Sequence, residues 1–281
     1  MVKTRLKDVP IWPSLITCAA LGCGFLAIVF ASWAGSPEQA ERYRPDFPVL
    51  LTQRALLEYA AWLVFAAMVL DGIDGRIARL THQTTAFGEQ LDSLADAVSF
   101  GVAPAFLAWQ ATVQSAPAIV AGTRLSHLVM AVCMIYVIAT VIRLARFNVE
   151  TMPDEWAHRY FKGLPSPAAA GLIASLVLLH LQLADAFAWI GRIGVPVATF
   201  GAALLMVSRV RYVHVMTAAV SGSRSVTYFV MLILLLTVAI FAVHYSLALA
   251  FVVYTLSGLW GLAYEKVAER IELMEEEGSF F

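Results

Sequence analysis

Four aspartates and an arginine stand in a register that can do metal chemistry: Asp71-x-x-Asp74-Gly75-x-x-Ala78-Arg79, eight further residues, then Gly88-x-x-x-Asp92-x-x-x-Asp96. On a helix, positions three and four apart share a face. Asp71 and Asp74 therefore look one way, and Gly75, Ala78 and Arg79 continue that face. Gly88, Asp92 and Asp96 form a single stripe on the next helix. A short turn from His82 to Phe87 makes the two helices antiparallel neighbours, so the stripes converge. Carboxylates without a Cys or His suit a hard cation such as Mg²⁺, Mn²⁺ or Ca²⁺, which in enzyme sites commonly completes its shell with substrate phosphate. Gly75 and Gly88 let a bulky ligand approach the backbone, Ala78 keeps the face low, and Arg79 adds a cation beside phosphates. Two ions held by paired carboxylates can clamp a pyrophosphate while an oxygen nucleophile displaces one side in line.

The elements that position these groups are membrane helices. Of the 281 residues, 60% are hydrophobic and 14% charged, and mean hydropathy is +0.76, far outside the ordinary soluble range. Ionised groups at membrane depth are costly, so four carboxylates there need a compensating partner, which a divalent cation supplies. Measured against the roughly 20 residues of a spanning helix, the uncharged stretches predict about eight spans in an all-α integral membrane protein. They are 11–35, about 57–70 running on into the carboxylates, about 88–113, 125–142, 166–184, 193–208 and two more within 225–264. That last stretch carries no charge, and as one helix it would reach roughly 60 Å, so it must be a hairpin, turning near His244.

An even number of spans puts both termini on one side. If that side is the cytoplasm, it holds Lys3, Arg5, Lys7, Arg76, Arg79, Arg143, Arg146, Arg159, Lys162, Arg209, Arg211, Arg224, Lys266 and Arg270, and the other side holds Arg42, Arg44, Arg54, Arg124 and Arg192. The bias sets the orientation and puts the carboxylates at the cytoplasmic ends of spans two and three. The first uncharged stretch exceeds a signal-peptide core of roughly 7 to 15 residues and reads as a retained span. Cys18, Cys23 and Cys133 fall inside spans in no ligand pattern and read as small core residues. His82, His158 and His214 read as loop residues, Trp12, Trp33, Trp189 and Trp260 as interface anchors, and Gly22 and Gly24 as aids to close helix packing. The loop 36–52 is an irregular outward connection, and 265–281 is a charged cytoplasmic tail whose 265–277 stretch can extend the last span as a helix. A single membrane domain, 1–281, is expected, with a six-helix core over about 10–210, an additional hairpin over 225–264, and no nucleic-acid partner.

The Asp71 to Asp96 run resembles the signature of the CDP-alcohol phosphotransferase family, D-x-x-D-G-x-x-A-R-x8-G-x-x-x-D-x-x-x-D, at every specified position. The resemblance implies a membrane-embedded enzyme, generally a homodimer, with a six-helix core and two divalent cations, Mg or Mn with Ca also accepted, on the cytoplasmic side. It would transfer a phosphatidyl-type group from a CDP-linked lipid to an alcohol and release CMP. Carried over by position, Asp71, Asp74, Asp92 and Asp96 would ligate metal, Asp96 would also act as general base, and Gly75, Ala78, Arg79 and Gly88 would line the CDP site.

Further segments are similar to the bacterial, membrane-embedded branch of the family that uses CDP-diacylglycerol and L-serine, which implies a multi-pass protein of the cytoplasmic (inner) membrane. They are Ser93 to Pro104, Arg143-Leu144-Ala145-Arg146-Phe147-Asn148, Phe161-Lys162-Gly163-Leu164-Pro165-Ser166-Pro167-Ala168 and Leu205 to Arg209. The first span departs from the branch, with Ser14 and Ala19 where two Asn residues are usual; Thr17 is retained there as a CDP contact. Serine brings a carboxylate and an ammonium, so its site needs a fixed cation and an acceptor group. Arg143, Arg146, Asn148, Lys162 and Ser166 are the candidates, although basic residues at cytoplasmic helix ends are also what topology demands. Pro167 reads as the first helical residue after a Ser166 cap. Another alcohol, such as glycerol phosphate, an inositol phosphate or another amino alcohol, would be served by the same signature. A cation or proton carrier would instead place its carboxylates near the midplane in two inverted halves.

Overall fold

The computed structural model describes residues 11–36, 52–80, 85–115, 124–150, 160–183, 187–213 and 242–278. Most of the 36–52 loop, the loop histidines His82, His158 and His214, and the expected seventh span lie outside these residues, as do the side chains of Trp12, Ala78, Arg79 and Lys162. The protein is an all-α, multi-pass membrane protein: seven helices among the described residues are long and apolar enough to span a bilayer. In chain order they are α1 (Ile11–Gly35), α2 (Gln53–Leu80), α3 (Ala86–Asp96) running through a π turn (Ala97–Val102) into α4 (Ala103–Ser115), α5 (Arg124–Glu150), α6 (Ser166–Leu183), α7 (Val195–Val207) entered through a second π turn (Ile190–Gly194), and α8 (Val243–Gly278). Helix α5 continues beyond the expected boundary at 142, so Arg143, Arg146 and Asn148 are helical. Helix α8 begins beside His244 and runs unbroken to Gly278.

Small residues decide which helices touch. Ala27, Ala31 and Ala34 on α1 face Leu56, Leu57, Ala60, Ala61, Val64 and Ala67 on α2, all buried in one core. Both sets recur at three- and four-residue spacing, giving each helix a low stripe along which backbones approach closely. A Cβ on Gly24 would lie 2.7 Å from the Ser99 Cα, so only glycine admits the π turn against α1; Gly22 meets nothing within 4 Å and plays no such part. Cys133 is buried and Cys23 half-buried, whereas Cys18 faces outward, and all three are free thiols. Trp189 faces outward at the start of the second π turn and Trp260 at the end of the spanning part of α8, while Trp33 turns inward to meet Phe30 edge-on at 5.6 Å.

The first π turn has a sequence cause. Pro104 cannot donate a backbone hydrogen bond, so a carbonyl one turn earlier loses its helical partner. The ladder widens, with the Ala103 N–H bonding to the Val98 carbonyl, and the buried Tyr136 hydroxyl of α5 donates to the Phe100 carbonyl at 2.9 Å. No water in a bilayer core could satisfy that carbonyl. Pro196 stands in the same relation to the second π turn.

A short antiparallel ribbon joins two connections: β1 (Tyr160–Lys162) pairs with β2 (Arg211–Val213). It is followed by Gly163, whose φ of +88° is open to glycine and strained for other residues. The Gly163 and Leu164 N–H groups donate to the Val210 and Leu205 carbonyls, fastening the start of α6 to the end of α7.

Replacing Tyr136 with Phe strands the Phe100 carbonyl and is expected to cost about 1–2 kcal/mol of stability. Thermal unfolding of the detergent-purified variant should show a lowered midpoint, and an unchanged one would refute this account of the π turn.

Candidate active site

Two helices deliver the carboxylates to one end of the bundle. Asp71 and Asp74 sit on α2, and the register of α3 is set at its start, where the Thr85 hydroxyl accepts the Gly88 N–H at 3.1 Å. Such an N-cap fixes which face the following turns present. One carboxylate oxygen each from Asp71, Asp74 and Asp92 lie within 4.8 Å of one another. Oxygens bound to one hard cation at roughly 2.0–2.6 Å stand no more than about 5 Å apart, so this all-oxygen trio fits such an ion.

Asp96 stands outside that trio. Four residues along a helix rise about 6 Å, which carries Asp96 past Asp92 into contact with the Asp71 carboxyl, where the Arg143 guanidinium lies within electrostatic reach of both. Asp74 is buried, and the Thr17 hydroxyl of α1 donates to its Oδ2 at 2.8 Å. Thr17 thus stands behind a carboxylate. One turn earlier on the same helix, the Ser14 hydroxyl is buried with no hydrogen-bond partner among the described residues. A Cβ on Gly75 would meet nothing within 4 Å, leaving open backbone beside the carboxylates, whereas one on Gly88 would come within 3.3 Å of the Thr85 hydroxyl.

A cavity of about 990 Å³ opens against this cluster. Asp71 and Gly72 contribute from α2, and Glu89, Gln90, Asp92, Ser93 and Asp96 from α3. The opposite wall is Arg143, Leu144, Phe147 and Asn148 of α5, Pro165, Pro167 and Ala168 at the start of α6, and Ala250, Phe251 and Tyr254 of α8. Arg143 is held in place: its Nη1 donates to the buried Ser166 hydroxyl at 2.6 Å, and its Cζ lies 5.8 Å from the Phe147 ring centroid. Ser166 therefore supports the guanidinium. Asn148 and Ser93 exchange hydrogen bonds, Nδ2 to Oγ at 2.9 Å and Oγ to Oδ1 at 3.2 Å, tying α5 to α3. Arg146 is half-buried and is not among the residues lining the cavity. Ala78 and Arg79 continue α2, and Lys162 lies in β1.

Sequence reasoning passed over Glu89, Gln90, Phe147 and the α8 wall. Glu89 carried a signal, being a further carboxylate between Gly88 and Asp92. Tyr254 carried none, since it lies in a long uncharged stretch where any aromatic reads as core or lipid contact.

Comparison with known proteins gives the family. The sequence profile of the CDP-alcohol phosphatidyltransferase family matches residues 11–200. A Helicobacter pylori protein named CDP-diacylglycerol--serine O-phosphatidyltransferase is 36% identical over 170 residues, covering 60% of this chain and 58% of the relative. A Mycobacterium leprae protein of the same name is 30% identical over 247 residues, 87% of this chain and 70% of the relative. A Methanothermobacter thermautotrophicus protein named archaetidylserine synthase is 33% identical over 171 residues, 59% of this chain and 63% of the relative. The chain thus spans less than two thirds of the Helicobacter and Methanothermobacter relatives.

The Thr17–Asp74 hydrogen bond leads to a direct test. Thr17→Val removes the donor behind a prospective ligand and is expected to weaken Mn²⁺ binding about tenfold, read by paramagnetic resonance titration of purified protein. Unchanged Mn²⁺ affinity would deny Thr17 any influence on an ion at Asp74.

Proposed function

The chain belongs to the CDP-alcohol phosphatidyltransferase family, and from that premise we propose that it transfers the phosphatidyl group of CDP-diacylglycerol to the hydroxyl of L-serine, giving phosphatidylserine and CMP in phospholipid biosynthesis. The observation that carries this reading is a single cavity with carboxylates on one side and a braced guanidinium on the other. The names of the Helicobacter and Mycobacterium relatives support serine as the acceptor.

Asp71, Asp74, Asp92 and Asp96 are the residues that would hold two divalent cations, Mg or Mn, with Ca also compatible with oxygen ligands. When bound, such ions neutralise the pyrophosphate and the charge that develops on the departing CMP. Open backbone at Gly75, together with Ala78, Arg79 and Gly88, receives the CDP moiety, and Thr17 contributes through Asp74.

Asp96 takes the proton from the serine hydroxyl. The freed oxygen attacks the lipid-side phosphorus, and the bond from that phosphorus to the CMP oxygen breaks. Arg143 receives the serine carboxylate in a charge-assisted pair, with Ser166 fixing its orientation. Asn148 holds the α5 and α3 walls together, and Arg146 and Lys162 remain candidates for the acceptor side on their sequence positions alone. Most of the acceleration comes from positioning the hydroxyl and stabilising charge.

The positive-inside bias supports a cytoplasmic (inner) membrane location with the cavity and both termini facing the cytoplasm, where a water-soluble amino acid meets a membrane-held donor. The working assembly is a homodimer, as the family resemblance implies.

Purified protein given CDP-diacylglycerol and Mn²⁺ or Mg²⁺ should release CMP with L-serine and not with glycerol 3-phosphate or inositol phosphate. Asp96→Asn should lower turnover about a thousandfold. Equal CMP release with all alcohols would refute the acceptor assignment, and near-normal turnover of the Asn variant would remove Asp96 as the base.

A further inference from the structure

Helix α8 lies wholly outside residues 11–200, yet it completes the cavity wall opposite the carboxylates. The helix is pinned at two points. Near the first, Phe251 packs against Gly171 of α6, where a Cβ would collide with the ring. At the second, Gly258 admits the Tyr212 ring from β2, and the Tyr212 hydroxyl donates to the Thr255 carbonyl at 3.1 Å. Residues 251, 254, 255 and 258 share one helical face. Tyr254 therefore sits between the pins, facing inward, and its ring centroid lies 5.6 Å from that of Tyr212. Such bracing on both sides removes the rotamer freedom that an aromatic recognition surface would otherwise lose on binding.

The other groups around Tyr254 narrow what it can do. It lies within electrostatic reach of Arg143, the one guanidinium among the cavity-lining residues. An acceptor whose carboxylate pairs with Arg143 must put its remaining substituents close by. On the serine reading above, Asp71, Asp74 and Asp92 serve the donor's pyrophosphate and are not free for an ammonium, and Glu89 stands on the α3 wall, across the cavity from α8. An aromatic face beside a guanidinium offers the ammonium a partner and sets a limit on acceptor bulk.

We propose that Tyr254, delivered by a helix outside the matched core, is a specificity-determining residue for the acceptor, its ring receiving the ammonium of a small amino-acid alcohol and closing the wall against larger ones. The assignment rests on the serine reading above, and one set of assays separates the two. Absence of serine-dependent CMP release from the unaltered protein overturns the premise. Given that release, Tyr254→Ala is expected to raise KM for serine about tenfold while KM for CDP-diacylglycerol stays within about twofold. Tyr254→Phe keeps the ring and leaves both constants within about threefold of the original. Tyr254→Leu keeps bulk without an aromatic face, so it must show the same rise in serine KM, which decides the matter if the Ala variant does not fold. A serine KM unchanged in the Ala and Leu variants, or the two KM values rising together, overturns the assignment of Tyr254.

Discussion

Three carboxylates with oxygens within 4.8 Å of one another repel, and in a membrane protein each also loses hydration it would have in water. The bundle around Asp71, Asp74 and Asp92 is arranged to withstand that. Two of the three stand on α2, which is clamped to α1 along a stripe of alanines too small to hold the backbones apart. The clamp also brings the Thr17 hydroxyl to Asp74, giving the most buried carboxylate a donor. The third comes from α3, whose register is set by the Thr85 cap. The carboxylate cluster is thus a product of helix packing as much as of acidic residues.

The same logic explains the irregular stretch that follows Asp96. A straight helix from Ala86 to Ser115 would meet Pro104 with a carbonyl lacking its donor. The ladder widens by one residue, and Tyr136 reaches across from α5 to supply the missing hydrogen bond. That turn is also where Gly24 and Ser99 bring α1 close, with the Ser99 hydroxyl bonded to the Ala20 carbonyl at 3.1 Å. The helix that carries Asp92 and Asp96 is therefore anchored to both neighbours just beyond its last carboxylate. Motion of α3 would have to break contacts made in a medium that offers no replacement.

On the other side of the cavity the constraint is orientation of a single guanidinium. Arg143 has five donors and a long flexible stem, and unsupported it would sample many directions. Ser166 and Phe147 remove that freedom, and Ser166 is itself placed by the Gly163 turn and the β1–β2 ribbon. Similarity in the segment around Gly163 to Pro167 therefore reflects architecture at least as directly as ligand contact: the glycine is there for its φ of +88° and the serine for its hydroxyl behind the arginine.

Hydropathy and i, i+4 spacing were enough for the membrane setting, most helix boundaries, and the meeting of the Asp71 and Asp92 stripes, because both are properties of a continuous segment. Composition could not tell that α5 continues past its apolar stretch, since a helix leaving a membrane needs no change of backbone geometry at the interface. Tertiary structure alone decided the division of labour among the candidates. It put Asp96 beyond the trio, Thr17 behind Asp74, Ser166 behind Arg143 and Tyr254 in the cavity wall. Each of those placements joins residues from different helices, and the direction of a side chain across a helix interface is set by packing against partners far away in sequence.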